Sequence, residues 1–118
     1  MKKIVSLLIS FCFQQISFSQ TVPLDSAKFY EGKTITVCSQ VMDTYVSKHE
    51  DATTFINFGN PYPHSTFSVV IFEKDLTNFK YTPSEYLKGK NICITGKITI
   101  YKDKPQMIVE SEEAIKVQ

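Results

Sequence analysis

Two segments near opposite ends of the chain repeat one alternating pattern. Residues 32–41 read GKTITVCSQV, and residues 89–98 read GKNICITGKI. After the shared Gly-Lys pair, apolar side chains recur at alternate positions of each segment, which is the period of a β-strand. Both segments are therefore predicted to be strands with one face towards a core. Three explanations of the repeat are open: a duplicated half-domain, a thiol or metal site, or two strands with the same geometric role.

Further short runs of β-branched and aromatic residues indicate more strands. Residues 60–65, NPYPHS, contain two prolines, and they are predicted to be a connection because proline cannot donate to a strand ladder. Residues 102–105, KDKP, are predicted to form a tight turn. The five predicted strands cover residues 34–46 with a bend at Ser39, 54–59, 66–75, 91–101 and 106–111, and the alternation of Ile115 and Val117 fits a short edge strand.

A short helix is predicted between the third and fourth strands. Thr82 is a suitable cap, Pro83 suits the first helical position, and Glu85 stands where a capping box requires it. Gly89 follows the predicted end, so the helix has about two turns. One further helical turn is predicted within residues 22–33, ahead of the first strand.

Three strands, a short helix and two strands are the order of an all-β fold, the five-stranded Greek-key barrel called the OB-fold. In that barrel the first and fourth strands are antiparallel neighbours, and each has a small residue, here Ser39 or Gly96, where it bends. The repeated pattern is then one barrel constraint met twice. A duplication is disfavoured, because the third strand and the helix have no counterpart in the other half.

Most of the chain after residue 19 also resembles a known family. The matching segments are YEGKTITVCSQV, TFINFGNPYP, FSVVIF, YLKGKNICITGKITIYKDKPQMIV and SEEAIKV. They resemble the small nucleic-acid-binding OB-fold domains of the tRNA anticodon-binding-like type, which occur alone after a signal peptide or appended to extracellular nucleases. The resemblance implies the barrel and a non-enzymatic binding module for single-stranded nucleic acid or oligosaccharide.

The first residues predict export. MKK precedes the apolar run IVSLLISFCF, which is shorter than the roughly 20 residues that a membrane span needs. Ser17 and Ser19 suit a signal peptidase, so residues 1–19 are predicted to be a signal peptide and residues 20–118 a periplasmic or extracellular OB-fold domain. Lipidation at Cys12 is disfavoured by the bulky Phe11 before it. An uncleaved anchor is disfavoured because glutamines follow the run.

Charge limits the class of ligand. Loss of Lys2 and Lys3 with the signal peptide would lower the formal net charge from +1 by two, to −1, and the chain contains no arginine. A strong non-specific polyanion binder usually carries a clear basic excess. Without arginine, bidentate phosphate contacts cannot form, so any binding of nucleic acid is expected to be weak and sensitive to salt.

The ligand face of an OB-fold lies on the second and third strands and the loops beside them. Aromatic side chains there would stack on bases, and lysines would meet phosphates. Alternatively, Phe55 and Phe67 belong to the core and the lysines to a solvated rim. The candidate binding residues are Tyr45, Lys48, His49, Phe55, Asn57, Phe67, Tyr101, Lys102, Lys104 and Gln106.

Cys38 and Cys93 lie on corresponding faces of two strands that are predicted to be neighbours. In an oxidising compartment the simplest interpretation is a disulfide. Alternatively, both are small apolar residues beneath a helix or loop. Their register decides between the two, because a disulfide requires the α-carbons to be close.

No catalytic or metal site is predicted. His49, Glu50, Asp51 and His64 stand in two loops, but a metal site needs three or four converging ligands, and these residues fit a polar loop better. No cofactor motif is present, and the chain is expected not to be an enzyme. The competing interpretation is a periplasmic OB-fold protein that binds a small ligand or a protein partner and has no role with nucleic acid.

Overall fold

A computed structural model describes residues 20–49 and 51–118 and shows mainly β-strands. Residues 1–19, with the predicted signal peptide and Cys12, and Glu50 lie outside the described residues. The strands are β1 (Gln20–Thr21), β2 (Thr34–Gln40), β3 (Asp43–Val46), β4 (Thr54–Phe58), β5 (Phe67–Ile71), β6 (Asn91–Tyr101), β7 (Lys104–Ile108) and β8 (Ile115–Val117). Helix α1 spans Pro83–Tyr86, and 3₁₀ helices span Leu24–Tyr30, Glu73–Asn78 and Glu112–Ala114.

These strands form one mixed sheet in the order β1-β2-β6-β7-β5-β4-β3, and β8 pairs with β6 beside this path. The all-β class is confirmed. The described residues form eight strands where five were predicted, in a path that begins at β1 and ends at β3. The difference arises because the first predicted strand is divided in two and short strands are added at both ends of the domain.

The division of the first predicted strand lies at Val41 and Met42. The Val41 N–H donates to the Lys90 carbonyl at 2.8 Å, whereas the Met42 N–H donates to the Asn57 carbonyl at 2.8 Å. The backbone therefore changes partners between these two residues. Ser39, where the bend was predicted, lies inside β2 and pairs with β6, and the strand is interrupted two residues later.

β6 links the two parts of the sheet. Its residues 91–97 pair with β2, and its residues 98–101 pair with β7. Gly96 lies at the transition, where an added Cβ would come within 3.3 Å of the Met107 Sδ. Gly32 and Gly89, which precede β2 and β6, have φ angles of +80° and +76°, so the two matching segments begin with the same left-handed turn.

Cys38 and Cys93 are direct partners in the antiparallel ladder between β2 and β6. Their Sγ atoms are bonded at 2.08 Å, and their α-carbons lie 4.0 Å apart. The predicted disulfide is confirmed. The next pair on the same face, Thr36 and Thr95, shares a hydroxyl hydrogen bond of 2.7 Å.

The opposite face of the ladder forms the core. Ala27, from the 3₁₀ helix ahead of β2, is fully buried among the strand residues, which confirms a helical turn packed on this region. The largest fully buried side chains are Phe58, Phe67, Ile35, Ile56, Ile71, Leu87, Ile92, Ile94, Ile98, Met107, Val22 and Val37.

Helix α1 stands between β5 and β6, where a helix was predicted, but it is one turn long. The Thr82 side chain makes no capping hydrogen bond. Its carbonyl instead accepts the N–H groups of Glu85 at 3.1 Å and Tyr86 at 2.9 Å. The predicted capping box is therefore wrong, since backbone bonds alone close this turn.

Candidate functional site

A cleft of about 350 Å³ lies on the outer face of the sheet, opposite the core. Strands β4, β5 and β7 form its floor. The β4–β5 loop forms one wall, and the β6–β7 turn forms the other. The residues that line it are Phe55, Tyr62, Pro63, Ser68, Tyr101, Lys102, Lys104 and Gln106.

Strand register arranges this outer face in two transverse rows, because paired residues in neighbouring strands project from the same side. One row is polar and the other is mostly apolar. The apolar row runs Tyr45, Phe55, Val70 and Ile108 across β3, β4, β5 and β7. The polar row runs Asp43, Asn57, Ser68, Gln106 and Thr99 across β3, β4, β5, β7 and β6.

Three aromatic rings meet where the apolar row approaches the β4–β5 loop. The rings of Tyr45 and Tyr62 are stacked, with centroids 4.2 Å apart and planes 7° apart. The Phe55 ring lies 5.8 Å from Tyr62. Tyr62 is 43% exposed and lines the cleft, so its ring lies open to a ligand. It was not among the predicted site residues, because NPYPHS was interpreted only as a connection.

The opposite wall of the cleft is the turn between β6 and β7. Lys102 and Asp103 occupy it with φ angles of 49° and 65°, as in the two-residue turns that suit twisted hairpins. The turn projects Tyr101, which is 60% exposed. The Lys102 Nζ lies 5.4 Å from the centre of that ring, within the range of a cation–π contact.

Lys104 has a different environment from Lys102, although both line the cleft. Its ammonium donates to the Pro63 carbonyl at 2.9 Å and to the Ser65 Oγ at 3.1 Å. The polar chain continues inward through Ser68, whose Oγ lies 2.9 Å from that of Ser65 and donates to the Asn57 Oδ1 at 2.8 Å. In this conformation the lysine fastens a loop.

The structure brings five of the ten predicted binding residues together in the cleft: Phe55, Tyr101, Lys102, Lys104 and Gln106. Tyr45 lies beside it through its stacking on Tyr62. Lys48 and His49 are exposed on the loop after β3 and are not among the lining residues.

Two of the predicted binding residues are buried. Phe67 is 0% exposed and packs 5.7 Å from Phe58 inside the core, because both are paired at inward positions of β4 and β5. Its prediction as a surface residue is wrong. Asn57 projects from the outer face but is also 0% exposed, because the β4–β5 loop covers it.

A second aromatic cluster lies near α1, and none of its members lines the cleft. The rings of Tyr81 and Tyr86 lie 4.4 Å apart, and the Lys90 Nζ lies 4.0 Å from the centre of Tyr86. Burial, together with the charges of Glu112 and Tyr86, raises the pKa of Tyr81 above its ordinary value of 10.0.

A wider hollow of about 680 Å³ lies beside Asp51, Phe72, Glu73 and Lys74. The Glu73 carboxylate there accepts the Ala52 N–H at 3.2 Å. The hollow contains none of the ten predicted binding residues. In residues 20–49 and 51–118, no three His, Cys, Asp or Glu side chains are grouped so that they could hold a metal ion.

Comparisons with known proteins give distant structural similarity alone. No protein-family model matches the chain, and no curated protein matches it. A solved structure described as an aspartyl-tRNA synthetase from Leishmania major Friedlin is similar to it, with 13% sequence identity and a TM-score of 0.45. The similarity covers 89% of this chain and 22% of that chain, so the chain spans about a fifth of that protein's length. Among the described residues, no helix is long and apolar enough to span a membrane.

Proposed function

We propose that the sheet is an OB-fold barrel in which β2 and β3 are two halves of one bent strand. Only Val41 and Met42 separate these halves. Leaving out β1 and β8, the path β2-β6-β7-β5-β4-β3 begins in one half and ends in the other. Counted in this way, the sheet has five strands in Greek-key order.

The chain is then a non-enzymatic binding module whose ligand is single-stranded nucleic acid, held across the cleft. The observation that carries this proposal is the grouping of aromatic rings with a lysine in one cleft: Phe55 and Tyr62 line one side, and Tyr101 and Lys102 line the other. Flat rings stack on any base, and an ammonium beside them meets the backbone phosphate. Within the described residues, those lining the cleft include no carboxylate, histidine or thiol, which favours binding over catalysis.

Export to an oxidising compartment is part of the proposal. The Cys38–Cys93 disulfide supports it, because such bonds persist outside the reducing cytosol. The apolar leader predicted over residues 1–19 supports it from the sequence side.

Fluorescence anisotropy with a labelled oligothymidylate tests the ligand, at low and at moderate salt. The expected dissociation constant at low salt is on the order of 10 μM, as for weak non-specific association, and it should rise with salt. Tyr101→Ala should weaken binding by roughly 5- to 150-fold, the range for loss of one stacking platform. No binding at low salt at several tens of micromolar protein, a range set by the same weak association, would contradict the proposal.

Phe29 provides the matched control for Tyr101. It is 75% exposed, and the Lys28 Nζ lies 5.2 Å from its ring centre, an arrangement like that of Tyr101 and Lys102. It lies in the 3₁₀ helix ahead of β2 and does not line the cleft. Phe29→Ala should therefore leave the affinity unchanged. Equal losses of affinity in the two variants would mean that the ligand binds elsewhere or binds non-specifically to exposed aromatic side chains.

An oligosaccharide is the second candidate ligand, favoured because the Lys104 ammonium is hydrogen-bonded to the β4–β5 loop. With that ammonium engaged, Ser68 and Gln106 leave the centre of the cleft mainly neutral and polar, and aromatic rings also stack on sugar faces. Quenching of tyrosine fluorescence by a neutral oligosaccharide, without oligonucleotide binding, would select this alternative. No detectable binding of either the oligonucleotide or the oligosaccharide would favour a small ligand or a protein partner.

A further inference from the structure

The loop between β4 and β5 folds back over the outer face of its own hairpin. Its base is closed by the Thr66 N–H, which donates to the Phe58 carbonyl at 2.9 Å, and a tighter turn inside it joins the His64 N–H to the Pro61 carbonyl at 2.9 Å. Gly59 begins the loop with a φ of +84° and packs against the Thr66 side chain. Residues 59–66, called the flap below, thus form a closed unit on a narrow base.

Polar and ring contacts fasten the flap to the sheet, among them the hydroxyl pair of Ser65 and Ser68 at 2.9 Å. Lys104 donates to the Pro63 carbonyl and the Ser65 hydroxyl. The Asp43 carboxylate accepts the Tyr62 N–H at 3.2 and 3.3 Å. The Tyr62 ring rests on Tyr45. Both acceptors of Lys104 are neutral, so a ligand phosphate would make a stronger, charge-assisted bond with the same ammonium.

The surface beneath the flap is polar. Ser65, Ser68 and Asn57 are 4%, 5% and 0% exposed and form one hydrogen-bonded chain. Within the described part of the chain, the buried Asn57 Nδ2 has no hydrogen-bond partner. Leaving a buried donor unpaired is unfavourable, because the donor has lost its bonds to water. This surface therefore loses little on exposure to water or to a polar ligand, unlike the apolar core on the other side of the sheet.

We propose that the flap is a lid over the polar row and that Lys104 is its latch. A ligand phosphate entering the cleft takes the Lys104 ammonium, which frees the Pro63 carbonyl and leaves Ser65 held by Ser68 alone. The lid then lifts, and the Asn57 amide and the Ser68 hydroxyl become accessible to the polar edge of a base. The identity of the latch rests on the free protein alone, whereas its release by ligand rests on the proposed function.

Amide hydrogen exchange of the free protein tests the latch without any ligand. Lys104→Met keeps the aliphatic stem and removes the ammonium, so the Tyr62 amide, which bonds the flap to Asp43, should exchange roughly tenfold faster or more, while the amides of β6 stay unchanged. Lys102→Met removes a charge from the same cleft and should leave the flap unchanged.

Two outcomes of this experiment would overturn the latch. One is unchanged exchange of the flap in Lys104→Met. The other is equal acceleration of the flap and β6, since Lys104 would then support the whole fold.

The same measurement on the wild-type protein with saturating oligothymidylate tests the release. The Tyr62 amide should lose protection in the complex, and increased or unchanged protection in a demonstrated complex would overturn the lid. Failure of the oligonucleotide to bind would refute the proposed ligand and the phosphate-driven release together. The latch would still be decided by the exchange rates of the free variants.

Discussion

Replacing both Cys38 and Cys93 by serine tests how much stability depends on the bond between β2 and β6. The two residues are 55 positions apart in the chain and directly opposite in the ladder. The ladder around them continues through six other residue pairs. The folded structure should therefore survive the substitution, and the main effect should be greater freedom of the unfolded chain.

The chain-entropy relation gives the size of this effect. For a closed loop of 55 residues it corresponds to about 14 cal/mol/K, or about 4 kcal/mol at 25 °C. A domain of about 99 residues has a total stability on the order of 5–15 kcal/mol, so the loss is a large fraction. With an unfolding entropy of about 0.2 kcal/mol/K, the melting temperature should fall by about 20 °C.

Thermal unfolding of oxidised wild type and of Cys38→Ser/Cys93→Ser is the direct assay. Thr36→Val/Thr95→Val is the matched control, because it alters the neighbouring pair on the same face of the same strands. Loss of that exposed hydrogen bond should cost about 1 kcal/mol or less. A melting temperature that falls by less than about 5 °C in the cysteine variant would refute the reasoning, because the entropic effect predicts a much larger fall. Mass measurement after alkylation should detect thiols only after reduction.

Three further predictions concern single residues. Folding raises the pKa of Tyr81 above 10.0, so its contribution to stability is complete below pH 10.0 and falls as the pH rises towards the folded pKa. Tyr81→Phe should reduce the loss of unfolding free energy between about pH 9 and pH 11, measured by urea unfolding. An unchanged dependence of that free energy on pH would contradict the prediction. Asp103→Gly should raise the melting temperature by about 2–6 °C, because the φ of 65° suits glycine; a decrease would contradict the turn geometry. Gly89→Ala should lower the unfolding free energy by about 1 kcal/mol for its positive φ alone. Gly59→Ala should lower it by roughly 2 kcal/mol or more, since its Cβ would lie 2.7 Å from the Thr66 Cβ. Equal losses in the two variants would show that Thr66 moves aside.

Much of the sheet could be predicted because its signals are local. The alternation in residues 91–101 predicts both ends of β6 correctly. The pairing of the two Gly-Lys segments follows from the predicted barrel order. The break of the first strand at Val41 and Met42 could not be predicted. It depends on the carbonyls of Lys90 and Asn57, which are distant in sequence and supply hydrogen bonds from two different directions.

The candidate site was predicted less completely, for a related reason. Period two places Asn57 and Phe55 on the outer face, and the structure agrees. The alternation does not predict whether a loop covers that face. In the structure the flap buries Asn57 and leaves Phe55 at the cleft. Tyr62 could be recognised as a ring in a connection, but its stacking on Tyr45 required the flap to fold back.

The sequence by itself determined the all-β class, the two faces of each Gly-Lys segment and the pairing of the two strands that carry the cysteines. These depend on residues within a few positions of one another or on the order of elements along the chain. Only the tertiary structure decided which outer side chains reach a ligand and which fasten the flap. Lys102 lies in the turn of one hairpin and Lys104 in its strand β7, and the ammonium of Lys104 is engaged because Pro63 and Ser65, about 40 residues earlier, lie against it.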